Sequence, residues 1–131
     1  MSSRNIALIQ GSYQALVSGN LGTFLRTLSP EIRITQSSEL PWGGEFRGRN
    51  GARMLFVRLA EYVEAAIDIE RLIDGGDRIA AIGRIHGRSK GPGRPFDAPL
   101  VHLWELKDGV AVRLDIAVDV PRLLAALARA A

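Results

Sequence analysis

The chain has 131 residues, 47% apolar and 24% charged, with no cysteine; it is expected to be one domain over 1–131, which excludes intrinsic disorder, a disulfide framework, thiolate metal sites and a cysteine nucleophile. The net charge is 17 − 14 = +3, and the sequence pI of 9.9 exaggerates it, because few groups titrate between pH 7 and 10. Fifteen of the seventeen basic residues are scattered arginines with no basic stripe or interleaved aromatics, so no nucleic-acid partner is expected.

Residues 6–25 carry no charge for twenty positions, which is bilayer length. Gln10, Ser12, Gln14, Ser18, Asn20 and three glycines interrupt them, so no membrane partner is expected. No secretory signal is expected either, and the cytoplasm is the default compartment. Ile6, Ile9, Tyr13, Leu16 and Val17 recur at helical spacing and predict a first helix over about 3–18, capped by Ser2 or Ser3 and stopped by Gly19-Asn20. Leu21, Phe24, Leu25 and Leu28 predict a short second helix that Ser29-Pro30 ends.

Alternation over 31–36 predicts a strand, and 37–48 a loop holding Pro41-Trp42-Gly43-Gly44. A third helix is expected from Asn50 as N-cap, with Ala52, Leu55, Phe56, Leu59, Tyr62 and Val63 as its apolar stripe. From Ala65 the period becomes two. Gly75-Gly76 turns the chain, 77–89 returns as a strand, and 90–95 is a wide, flexible loop. Strands over 96–107 and 110–118 flank Asp108-Gly109, and Asp119 caps a closing helix with Leu123, Leu124 and Leu127 as its stripe. Helices followed by a strand meander imply an α+β fold with an antiparallel sheet. No metal site is expected, since the two histidines have neither HxH nor HExxH spacing. No phosphate-binding or dinucleotide motif is present.

Register decides which side chains of the last hairpin share a face. A two-residue turn at Asp108-Gly109 sets Trp104 opposite Arg113 and His102 opposite Asp115, the latter an attractive acid–base pair. A three-residue loop, 107–109, with Gly109 in a bulge, sets Glu105 opposite Arg113 and His102 opposite Ile116. The second is favoured. It gathers Val112, Leu114, Ile116 and Val118 with Leu100, His102, Trp104 and Leu106 on one apolar face, and leaves Asp97, Glu105, Arg113 and Asp115 on the other.

Through IALIQGSYQALVSGNLGTFLRTLSPEIRI, PWGGEFRGRNGARMLF and VHLWELKDGVAVRLDIAVDVPRLLAAL, residues 4–128 resemble the nuclear transport factor 2-like superfamily, in particular its SnoaL-like (polyketide cyclase) and ketosteroid isomerase-like branches. The resemblance implies a cone-shaped, strongly curved antiparallel sheet wrapped by helices (a cystatin-like roll). The mouth of the cone is a ligand pocket, and many members form homodimers through the outer sheet face. It also places Tyr13 where ketosteroid isomerases carry an oxyanion-hole tyrosine, and His102 where they carry a protonated aspartate. Their general-base aspartate falls near Gln36. The last-strand aspartate of limonene epoxide hydrolases falls at Ile116. Steroid isomerisation and that epoxide hydrolysis are therefore not expected.

His102 is then a general base or oxyanion donor in an apolar pocket, or a buried histidine bonded to a neighbour. Tyr13 gives its hydroxyl to a ligand or to the core. Arg84 and His86, two apart on one strand, bind an anionic or carbonyl group or lie on a solvated sheet face. Trp42 walls the pocket or plugs the cone. Phe56, Leu100, Trp104, Leu114, Ile116 and Val118, with Gln36, complete the expected wall. The expected partner is a hydrophobic small molecule, in a cofactor-independent isomerase, cyclase or hydratase, or in a binding or dimerisation module that performs no chemistry.

Overall fold

A computed structural model describes residues 2–128, with side chains from residue 4 onward. The first helix, α1 (Ser2–Val17), ends as expected, with Gly19 left-handed at φ 76° and the Asn20 N–H donating to Ala15. The Ser2 and Ser3 side chains proposed as its cap lie outside the described residues. Asn20 also accepts from the Thr23 N–H and so starts α2 (Leu21–Arg26), splitting the uncharged run into two helices. Among the described residues no helix is long and apolar enough to cross a membrane.

Leu28 does not extend α2. Thr27 caps that helix, and Leu28 opens β1 (Leu28–Gln36). The expected loop holds a strand, β2 (Gly44–Arg47), too short to show alternation. The next helix, α3 (Gly48–Tyr62), starts two residues before Asn50, with no side-chain cap. Asn50 lies inside the first turn and accepts from Arg53. Val63 belongs to β3 (Val63–Asp74), which runs antiparallel to β4 (Arg78–Ser89). The connection after β4 is tight rather than wide, because Ser89 exchanges hydrogen bonds with Arg94 and its carbonyl accepts from Gly93. The last hairpin is β5 (Pro95–Lys107) and β6 (Val110–Val118). Asp119 accepts from Arg122 and caps α4 (Val120–Leu127). There Leu123 and Ala126 are buried, whereas Leu124 is exposed, so the stripe is narrower than three leucines suggest.

The strands form one curled, unclosed sheet in the order β2-β1-β6-β5-β4-β3. It is mixed rather than wholly antiparallel, because β1 lies parallel to β6. The pairing breaks between Leu28 and Arg33, around Pro30, which has no N–H to give the ladder. Two further features bend the sheet. One is a bulge between Ile69 and Arg71. The other is the close approach of β3 to Gly83 and Gly87, where an added Cβ would lie 1.9 Å from the Asp68 and Glu64 carbonyl oxygens respectively.

His102 pairs with Ile116, and Glu105 with Arg113. The expected register is therefore observed, but not for the expected reason. The turn is two residues: Lys107 pairs with Val110 across Asp108 (φ 52°) and Gly109 (φ 80°), the left-handed pair a type I′ turn requires. Leu106 still pairs with Ala111, and the shift enters just after, leaving Val112 without an opposite residue. A bulge in β6, not a longer loop, turns Leu114 and Ile116 inward. Ala111 takes the buried place expected for Val112.

Candidate functional site

The inner face of β5 alternates Leu100, His102, Trp104 and Leu106, all buried. His102 is 5% exposed and Trp104 2%. Across the cavity, α1 carries Tyr13 one turn from Ile9, a core residue. Beside Ile9 on the same buried face, Ser12 bonds to the Thr27 hydroxyl at 2.9 Å. These anchors bring Tyr13 over the sheet.

The Tyr13 hydroxyl lies 2.6 Å from His102 Nδ1 and accepts from Trp104 Nε1 at 2.8 Å. The Tyr13 and His102 rings are parallel within 12°, and Trp104 meets both edge-on. Because the indole can only donate, Tyr13 donating to Nδ1 is the direction that gives all three groups partners within the described fold, and it leaves the imidazole proton on Nε2. No buried polar side-chain atom among the described residues lacks a partner. Nε2, which has no partner in the fold, therefore opens to the cavity that His102 lines.

Burial holds the imidazole neutral, lowering its pKa to about 4. Burial also raises the Tyr13 hydroxyl, against a smaller lowering by the Trp104 N–H. At pH 7 both groups are uncharged, and the chain Trp104→Tyr13→His102 ends as a neutral N–H donor. The rest of the cavity is apolar: Phe24, Leu55, Phe56, Leu59, Ile67 and Ile85 close it from three sides. The cavity volume is about 60 Å³, room for a few waters and less than the roughly 150 Å³ of a cavity that takes benzene, so a ring-sized ligand enters only as the apolar walls shift. Gln36 and the Trp42 indole N–H are the other polar groups of the lining, and among the described residues that line it none is a carboxylate.

The neutral imidazole has a stability consequence. An unfolded histidine titrates near pH 6.5, whereas folded His102 titrates near 4. The stabilisation is fully present above pH 6.5 and is lost as pH falls toward 4, because the unfolded chain then binds a proton the folded one refuses. Urea unfolding at pH 7.5 and 4.5 should show wild type losing about 2–3 kcal/mol more than a His102→Phe variant. Equal losses would contradict a buried neutral ring.

Of the expected wall, Trp42, Phe56, Leu100, Trp104, Leu114, Ile116 and Gln36 line this cavity. Trp42 is 1% exposed and packs against Tyr62, so it is part of the closed wall rather than a lip. Val118 does not line the cavity; it is the last residue of β6, opposite Leu100 and next to the cap of α4, where it packs on the core. Arg84 and His86 do not line it either. Ile79, Ala81 and Ile85 point inward, so the period of two sends residues 84 and 86 to the outer face. There Arg84 pairs with Asp97 at 2.5 Å and His86 with Asp68 at 2.8 Å. Asp115 also faces outward, bonded to Thr35 and Arg113. Partial burial pushes its pKa up, but those two donors outweigh it and leave it lowered. No His102–Asp115 dyad exists. The lining residues missed in sequence, Phe24 and Leu55 above all, read there only as helix stripes. Ile67 and Ile85 fall inside the period-two run from Ala65 and the return strand over 77–89, with nothing to single them out.

The SnoaL-like domain family matches residues 9–114. No curated protein matches the chain in sequence. Among solved structures, an NTF2-like protein of Burkholderia pseudomallei superposes with a TM-score of 0.89 at 22% identity, over 96% of this chain and 98% of that one. TerC, co-crystallised with polyporic acid, gives 0.86 at 20% identity, over 95% and 98%. A protein of Jannaschia sp. CCS1, named for its likeness to SnoaL-like polyketide cyclases, gives 0.84 at 19% identity, over 98% and 94%.

Proposed function

Because the chain belongs to the SnoaL-like domain family, we propose that it acts without a cofactor on a small, uncharged, mostly apolar carbonyl compound, as an isomerase, cyclase or hydratase. The observation that carries this reading is a hydrogen-bond chain ending in a neutral N–H donor at an otherwise apolar cavity. His102 holds the carbonyl oxygen through Nε2–H and stabilises the negative charge that develops there, as a neutral donor in a dry site does best. It is not the base. Its pKa near 4 disfavours imidazolium, and its cavity-facing nitrogen already carries a proton. The proton taken from substrate therefore goes to a basic group of the substrate itself. That TerC was co-crystallised with polyporic acid supports an organic ligand.

A second reading, ligand binding without turnover, is favoured by the absence of any carboxylate from the lining. A thermal-shift screen of cyclic enones and aryl ketones, with mass analysis of every hit for conversion, separates the two. Stabilisation with product supports the enzyme, and stabilisation without product supports the binding module. No stabilisation by any carbonyl compound overturns both.

The working unit in this reading is a single-domain cytoplasmic protein, paired as a homodimer through the outer sheet face. Ile73 and Leu103, 43% and 49% exposed there, support such pairing, since exposed apolar groups on one face favour burial against a copy. Light scattering should give the mass of two 14.2 kDa chains, and Leu103→Arg should reduce it to one. A monomeric wild type removes the dimer.

A further inference from the structure

We propose that Trp104 is a positioning residue: its indole, able only to donate, fixes the direction of the Trp104–Tyr13–His102 chain, so that His102 shows the cavity an N–H rather than a bare nitrogen and selects ligands that offer an acceptor. The ligand half of this inference rests on the proposed function, whereas the proton placement stands or falls without any ligand.

The geometry leaves the indole little choice. Trp104 pairs with Ile79 on one strand and Leu114 on the other, and packs edge-on against Phe24 at 6.3 Å. Its N–H lies 2.8 Å from the Tyr13 oxygen and has no acceptor function to offer in return. One lone pair of that oxygen is therefore occupied. If His102 also donated to it from Nδ1, two N–H dipoles would converge on one oxygen. The phenolic proton would then need another acceptor, and the described fold provides none. With Tyr13 donating instead, all three dipoles run head to tail and polarise one another. The indole thus acts through Tyr13 on the far nitrogen of His102, which it does not touch at the cavity. A carbonyl or ether oxygen meets the resulting N–H as an acceptor. An ammonium group would meet it donor against donor.

The test reads the histidine ring itself. In full-length protein labelled with 15N-histidine, long-range 1H–15N spectra distinguish the two neutral tautomers, and a His86→Gln variant assigns the signals. Wild-type His102 should be the Nε2–H tautomer between pH 6 and 8. Replacing Trp104 with benzothienylalanine, which keeps the shape but puts sulfur where the N–H was, should raise the Nδ1–H population about fivefold or more, the worth of one neutral hydrogen bond. Trp104→Phe should do the same if it folds, and the isostere covers the case in which it does not. A wild-type Nδ1–H tautomer overturns the proposal, as does an unchanged ratio in the isostere, which would make Trp104 a packing residue only. Ligand binding alongside an unchanged ratio would leave the proposed function standing without this role. A shifted ratio in a protein that binds no carbonyl compound would support the role and remove the function.

Discussion

Replacing His102 with Ala should lower kcat about 100-fold or more on any carbonyl substrate that the protein converts, because one preorganised donor to a developing oxyanion contributes about that much. Circular dichroism at pH 7 should show the fold intact. His102→Gln should recover part of the loss, since a carboxamide can still donate an N–H from that side of β5. Tyr13→Phe should cost less, about tenfold, since it leaves the imidazole in place but removes the hydroxyl that orients it. A partial recovery by His102→Gln is diagnostic of a donor. A base would not be replaced by Gln at all. If the protein only binds, His102→Ala should weaken Kd about five- to tenfold, the worth of one neutral hydrogen bond. A His102→Ala variant with unchanged kcat and unchanged Kd would remove the imidazole from function.

Gly83→Ala should destabilise the protein by about 3 kcal/mol or more, lowering Tm by about 10 °C. The added methyl would meet the Asp68 carbonyl oxygen at 1.9 Å, and the Asp68 carbonyl carbon and Ile69 Cα at 2.9 Å. All three are backbone atoms of the neighbouring strand and cannot rotate aside as a side chain could. The strands must part there, and Ile67 and Ile85 of the cavity wall, paired with each other across β3 and β4, lie two residues away. Gly11→Ala is the control. Gly11 sits on the exposed side of α1 with nothing within 4 Å of a new Cβ, so alanine there should stabilise by about 0.5–1 kcal/mol. Equal melting temperatures for the two variants would show that β3 and β4 are not held together at Gly83 as described.

The elements that escaped the sequence are those whose signal is short or shared. A four-residue strand such as β2 contains one period and a half of alternation, and its Gly44 reads as loop. The start of α3 has no capping side chain, so Asn50 attracted a role that the backbone two residues earlier had already filled. The parallel pairing of β1 with β6 joins segments about eighty residues apart, a distance over which local pattern says nothing. His102 and Tyr13 were visible as candidates through the resemblance, which sets them where ketosteroid isomerases carry their oxyanion-hole groups. That the phenol spends its proton on the imidazole was not, because 89 residues separate them.

Composition and periodicity alone determined that this chain builds helices followed by a meander, and the apolar stripe of its larger helices, because burial of apolar surface is a local property of spacing. Parity alone could not determine which side of β4 Arg84 and His86 take, nor that a one-residue bulge in β6 would set the hairpin register. Those depend on which strand lies alongside and how sharply the sheet bends. Only the tertiary structure decided that an indole, a phenol and an imidazole from two distant segments share two hydrogen bonds. The direction of those bonds, fixed by the single group that can only donate, makes the cavity a donor site.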